Sequence, residues 1–359
     1  MICSSAWTDV NINLGLGTIQ YCCLSKSYPI DFDNIENNDL ITHARKELAD
    51  GIKSSHCDYC WNMYEETGSA PMDSRHIWKT PSEIKPGIRS IEIRLDNFCD
   101  MSCVYCSAYH SHRIAKEENN EEYIVYSSKK EEYAKVIEWI KTVKTSFRLS
   151  FIGGEPTYSK NFYTFFEMLL ESGIDNLDFA FITNGNTTGV KLTRLRKLMD
   201  RIPNTWNCEV ILSNESVGEQ SELVRYGLNW ETYKENVEYY NSHPAVTKIR
   251  ATMTVSRYTA NGIYEYMKWL TDTITKPLIA SGNFVNEGPY AVKYSNYIDD
   301  YIKCKELAHK FTNEERVLRW LDTLISLGNL ISEHDAYNDL VHQAKVKNDL
   351  SLLDLADYD

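Results

Sequence analysis

At 359 residues, 43% of them hydrophobic, the chain is long enough to bury one large core plus a small module. Its formal net charge of −13 disfavours non-specific binding to nucleic acid phosphates. No amino-terminal signal peptide is evident and no apolar run is long enough to span a bilayer, so a cytoplasmic protein without membrane contact is expected.

In a reducing compartment, ten cysteines point to metal ligation and not to disulfides. The first four that matter lie within residues 1–80. Cys3 is followed by thirteen residues to Gly17 and four more to Cys22, and after a gap come Cys57-Asp58-Tyr59-Cys60. Four thiolates would close a [4Fe-4S] cluster completely, and the same four could hold a structural zinc. Cys23 stands beside Cys22, and either could be the ligand.

The apolar alternation of Ile91, Ile93 and Leu95 predicts a strand over 88–95, which runs into a loop carrying Cys99, Cys103 and Cys106. The spacing C-x3-C-x2-C holds a [4Fe-4S] cluster by three of its irons and leaves the fourth open. An open metal position is where a ligand can bind and react. Zinc usually takes four ligands, often in paired C-x2-C units, and an isolated triplet suits it poorly. The triplet sits at a strand's carboxyl end, where α/β barrels build active sites from converging loops. Beyond it, His110, His112 and Arg113 could reach a substrate or lie on the surface. Residues 116–122, with Glu117, Glu118, Glu121 and Glu122, read as a solvated loop or a mobile lid.

Tyr133, Val136, Ile137, Ile140 and Val143 then form one apolar helical face. A strand over 148–152 ends in Gly153-Gly154-Glu155-Pro156, where glycines let the backbone approach a ligand closely. A strand over 177–183 ends in Thr183-Asn184-Gly185. One over 208–213 ends in Ser213-Asn214-Glu215 and is followed by Leu223-Val224-Arg225-Tyr226-Gly227. Further strands fall at 247–255 and 278–285. Short apolar runs alternating with helical patterns argue for βα units around a parallel sheet. Cys208, at a strand start, and Cys304, on an amphipathic helix, read as packing residues. Val317, Trp320, Leu321, Leu324 and Ile325 mark a helical carboxyl-terminal cap over 291–359, which ends in the acidic stretch Asp354 to Asp359.

The cysteine triplet, with Tyr105 just before its last member and with GGEP and TNG following in order, resembles the radical S-adenosylmethionine (SAM) enzymes. The resemblance implies a partial (β/α)6 TIM-like barrel over 85–290. It implies that Cys99, Cys103 and Cys106 hold the SAM-binding cluster and that Tyr105 lies against the adenine. Gly153, Gly154 and Glu155 would hold the methionyl ammonium, and Thr183 and Asn184 would lie near the ribose. Ser213 and Arg225 would grip the SAM carboxylate, by likeness to the S-x-D and Y-x-R-x-G stretches of one subgroup. Here Glu215 replaces the aspartate, and the aromatic residue follows the arginine.

The pattern of Cys3, Cys22, Cys57 and Cys60 is similar to the twitch and SPASM modules, which bind auxiliary iron-sulfur clusters. Those modules usually follow the barrel, whereas this one, over 1–80, precedes it. The implied chemistry is reduction by a flavodoxin- or ferredoxin-type donor, cleavage of SAM to methionine and a 5′-deoxyadenosyl radical, and hydrogen abstraction from a substrate. The implied substrate is a peptide or protein that is oxidised or otherwise modified. Dehydrogenation or epimerisation of a small molecule such as a sugar, nucleoside or amino acid derivative, a non-catalytic iron-sulfur redox sensor, and a zinc-stabilised interaction protein are the other readings.

Overall fold

The computed structural model describes residues 2–36, 38–67, 78–79, 85–123, 125–285 and 297–328. The acidic stretch Asp354 to Asp359 lies outside them. The fold is mixed α/β with parallel strands, and the sheet does not close. The chain divides into two compact units, one made of residues 1–97, 125–181 and 194–207, the other of 98–124, 182–193 and 208 onward.

In the first unit, β1 (Ile2–Cys3) pairs antiparallel with β5 (Trp78–Lys79). A larger sheet contains β2 (Asp9–Asn13), β3 (Thr18–Gln20), β4 (Tyr28–Pro29), β6 (Ser90–Arg94), β7 (Arg148–Ile152) and β8 (Asp178–Thr183) in the order β4-β3-β2-β6-β7-β8. Strands β2, β6, β7 and β8 run parallel, while β3 and β4 are antiparallel additions. Three strands of the segment read as a cysteine module, β2 to β4, thus continue this sheet. Gly17, at φ +66°, makes the turn between β2 and β3, a conformation that costs glycine nothing.

Ile91 and Ile93 of β6 are fully buried, as the alternation requires. The helix Lys160–Glu171 begins at Ser159, whose hydroxyl accepts from Asn161 N, and turns Phe162, Phe165, Phe166 and Leu169 inward. Phe166 stacks on Phe179 of β8 at 4.6 Å, and Phe151 of β7 meets Phe162 and Phe165 edge-on. This aromatic layer holds the parallel strands together. The helix Lys130–Thr142 buries Tyr133, Val136, Ile137 and Ile140, but it stops one residue before the expected Val143, which is extended.

The second unit pairs β9 (Asn207–Ser213), β10 (Val246–Val255) and β11 (Leu278–Phe284) in parallel. Each strand is followed by helix, as the βα reading requires. The helix Glu314–Gly328 packs Val317, Trp320, Leu321 and Leu324 inward. Ahead of it, the Asn313 side chain accepts from Ala280 N at 3.0 Å and donates to Ala280 O at 2.6 Å. A carboxamide therefore takes the place of a neighbouring strand and blunts the free edge of β11. Gly282 lies under the Trp320 ring, where any Cβ would collide with it. Among the described residues, no helix is long and apolar enough to cross a membrane.

Candidate active site

The three cysteines of the triplet lie in the second unit, on the loop that leads to the helix His112–Glu117. Each is half-buried. Met101 and Val104 anchor the loop from inside, and the backbone N–H groups of Ser102 and Val104 donate to Tyr226 O and Val224 O at 2.9 and 3.0 Å. Cys99 N donates to His112 Nδ1 at 3.2 Å, and the His112 ring meets Phe98 edge-on at 5.3 Å. His112 thus braces the loop. The helix also takes up Lys116 and Glu117, two residues read as loop, and Glu117 accepts from the Ser102 hydroxyl at 2.7 Å.

Asp100, between the first two cysteines, ties the loop to the TNG turn. Its carboxylate accepts from Asn184 Nδ2 at 2.8 Å and from Asn186 Nδ2 at 3.1 Å. Asn186 also donates to Gly227 O and accepts from Asn229 N, both at 2.9 Å. Two glycines are required here. Gly185, at φ +72°, packs against Tyr233 where a Cβ would come within 2.5 Å of the ring, and at Gly227, at φ +105°, a Cβ would come within 3.0 Å of Asp100 O. Thr183 Oγ1 accepts from Gly185 N at 3.0 Å, closing the turn.

Arg225 and Glu215 form a buried, two-pronged ion pair, with Nε to Oε1 at 3.1 Å and Nη2 to Oε2 at 2.6 Å. The Tyr105 hydroxyl donates to Glu215 Oε1, and the guanidinium stands 5.7 Å from the Tyr105 ring centroid. Burial by itself would lower the Arg225 pKa, but Glu215, Tyr105 and Cys103 together hold it well above its usual value. Burial also pushes the Cys103 thiol up to about 12, partly offset by the positive charge of Arg225. Tyr105, Glu215 and Arg225 are thus one network beside the triplet. Ser213, at the end of β9, is half-buried.

The remaining expected SAM contacts lie in the first unit. Gly153 follows β7, and a Cβ there would come within 2.8 Å of Asp96 O, while Gly154 N donates to that oxygen at 3.3 Å. Buried Glu155 caps the following turn by accepting from Thr157 N at 2.9 Å and from the Thr157 hydroxyl at 2.5 Å. Buried Asp96 accepts from Ser159 and from Asn161 Nδ2. These polar residues fix the end of β6 directly before the cysteine loop begins in the chain.

Cys3, Cys22, Cys57 and Cys60 are all buried in the first unit, whereas Cys23 is exposed. Cys3 ends β1, Cys22 lies in the turn after β3, Cys57 ends the 3-10 turn Ser55–Cys57 and Cys60 is in the helix Asp58–Thr67. The Tyr21 hydroxyl meets Cys57 Sγ at 3.0 Å. Burial raises the Cys3 thiol to about 11, with the nearby Cys57 adding to the rise. Cys208 and Cys304 are fully buried, and burial pushes each thiol up to about 12.

The sequence model of the radical SAM superfamily matches residues 93–255, which run from the end of β6 through β10. Residues 93–255 are a radical SAM domain.

Among solved structures, the chain is similar to anSMEcpe with bound AdoMet, at 21% identity, TM-score 0.43, and coverage of 62% of this chain and 59% of that one. It is also similar to Streptococcus suis SuiB bound to S-adenosylmethionine, at 12% identity, TM-score 0.44, and coverage of 88% and 72%. SuiB bound to its precursor peptide SuiA matches at 11% identity, TM-score 0.38, and coverage of 96% and 75%. The chain therefore spans about three fifths of the first of these. No curated protein matches it.

The radical SAM domain contains the whole triplet, together with GGEP, the TNG turn, Ser213, Glu215 and Arg225. Three half-buried thiols on one loop, sealed by no fourth cysteine of that loop, fit a [4Fe-4S] cluster that keeps one iron open.

Proposed function

We propose that the chain is a radical SAM enzyme acting on a peptide or protein, with net oxidation of the substrate. When bound, a [4Fe-4S] cluster on Cys99, Cys103 and Cys106 supplies the electron that cleaves SAM reductively and so permits hydrogen abstraction from the substrate. The observation that carries the reading is the half-exposed triplet, fastened on one side through Asp100 to the TNG turn and flanked by the Arg225–Glu215 pair. In this reading, Arg225 supplies positive charge for the SAM carboxylate while Glu215 and Tyr105 keep its guanidinium in place, which is positioning in advance of binding. Ser213, Gly153, Gly154, Glu155, Thr183 and Asn184 are proposed to complete the SAM pocket. A flavodoxin- or ferredoxin-type protein is the proposed electron donor.

The peptide or protein substrate is proposed from the likeness of the Cys3, Cys22, Cys57 and Cys60 pattern to twitch and SPASM modules. A second cluster on those four buried thiols would accept the substrate electron, which makes the net reaction an oxidation. Epimerisation instead needs a thiol that returns a hydrogen atom. Cys208 lies at the amino end of β9, opposite Ser213, and Cys304 is enclosed within its helix packing, so neither supports that reading.

The test is dithionite-driven release of 5′-deoxyadenosine from SAM by anaerobically reconstituted protein, with iron and sulfide counted per chain. Release with about eight irons supports both clusters, and release with about four leaves the first set to zinc. A full iron complement without release, with peptide and small-molecule substrates supplied, would favour a redox sensor.

A further inference from the structure

A second donor set contains no cysteine. The helix Asp39–Ala49 starts at Asn38, whose side chain accepts from Leu40 N, and presents His43 and Glu47 one turn apart. The chain then returns through buried Ser54 into the turn Ser55–Cys57, which brings in His56. His43 Nδ1 and His56 Nε2 each stand 3.8 Å from Glu47 Oε2, and the three donor atoms lie within 4.8 Å of one another.

A separation of 3.8 Å is too long for a hydrogen bond. It is close to the spacing of two ligands on one tetrahedral ion, about 3.4 Å for bonds of about 2.0 to 2.1 Å. The outer contacts also suit ligation. The Ser54 hydroxyl donates to Glu47 Oε2 at 2.7 Å, and the Tyr28 hydroxyl pairs with His56 Nδ1, so that Nε2 is the ring nitrogen turned to the trio. Second partners of this kind orient metal-bound carboxylates and imidazoles. Side-chain exposure rises from 13% at His56 through 24% at Glu47 to 60% at His43, so the trio opens to solvent on one side.

We propose that His43, Glu47 and His56 bind one zinc-class divalent cation, with water completing the coordination. Two imidazoles and a carboxylate favour zinc over calcium or magnesium, which prefer oxygen donors throughout. The ion joins the helix Asp39–Ala49 to the turn that carries Cys57 and so steadies one member of the buried cysteine set. The proposal does not depend on what the cysteines bind.

The experiment titrates zinc alone into the full chain after anaerobic reconstitution with iron and sulfide and removal of loose metal by a chelator. Zinc per chain is measured with X-ray absorption at the zinc edge. The expected result is one retained zinc with only nitrogen and oxygen neighbours, in addition to any sulfur-bound zinc on the cysteines. Affinity should fall at least tenfold in His43→Ala and in Glu47→Gln, and about 10- to 100-fold in Tyr28→Phe, which removes an outer hydrogen bond. His43 is well exposed, so its replacement does not threaten folding. No zinc with a nitrogen and oxygen shell in the unaltered chain, or such zinc unchanged in both His43→Ala and Glu47→Gln, would each overturn the proposal. The iron content of each variant reports on the cysteine sets separately.

Discussion

The chain encloses its two cysteine sets in different ways. Cys99, Cys103 and Cys106 come from one loop and remain half-buried, because a single loop supplies donors from one side. Cys3, Cys22, Cys57 and Cys60 come from a strand, a turn, a 3-10 turn and a helix, and all four are buried. If the four bind one centre, donors gathered from four directions would surround it, whereas donors from one loop leave a face open. The open arrangement suits a centre that meets a ligand, and the enclosing one a centre that passes electrons or stabilises structure. The supporting contacts differ too. Asp100 and the backbone of residues 224–226 fasten the triplet loop, whereas Tyr21 reaches a sulfur of the buried set itself.

The sharpest way to separate the two sets is Cys103→Ala. SAM cleavage should fall below detection, and iron should drop by about four per chain, leaving the buried set loaded. Unchanged release of 5′-deoxyadenosine would sink the assignment of the triplet. A smaller effect is expected from Glu215→Ala, which leaves the Arg225 guanidinium buried without its carboxylate. Breaking a buried pair from one side costs about 3–5 kcal/mol, so the thermal midpoint should fall clearly and SAM binding should weaken with it. Glu215→Gln keeps the side chain's shape and one acceptor, and should lie between that variant and the unaltered chain. Equal melting temperatures for all three would mean that the pair contributes nothing to the fold.

The strands were legible because burial imposes a period. All six parallel strands read from the sequence are present, with ends shifted by one or two residues, and the helix carrying Tyr133, Val136, Ile137 and Ile140 follows its apolar spacing. The β2 to β4 additions were not read, because short strands such as Thr18–Gln20 carry too few residues to show an alternation. The cysteine triplet was visible through spacing alone. The residues that fasten it were not, since Asp100, Asn186 and Asn236 are single polar side chains in polar surroundings. Their partners lie tens of residues away, as with Asn236 Nδ2 donating to Gly185 O at 2.8 Å. Glu215 was noticed only as a departure from a familiar aspartate, and its ion pair with Arg225 emerged only in three dimensions. The one available hint was its place two residues beyond Ser213 at a strand end.

The subtlest test addresses the buried set through Tyr21→Phe. The substitution removes the hydroxyl that meets Cys57 Sγ at 3.0 Å and leaves the ring that packs there. One hydrogen bond is worth about 0.5–1.5 kcal/mol, so stability should change little. If the buried set holds a cluster, loss of a donor to a ligating sulfur should make that cluster harder to reduce, because hydrogen bonds to sulfur stabilise the more negative state. Redox titration followed by electron paramagnetic resonance should then show one signal moving to lower potential while the triplet's signal stays in place. If the set holds zinc, neither signal moves and only the small stability change remains. A shift of the triplet's signal alone would break the distinction between the two sets, since it would mean that the hydroxyl acts on the open centre and not on the enclosed one.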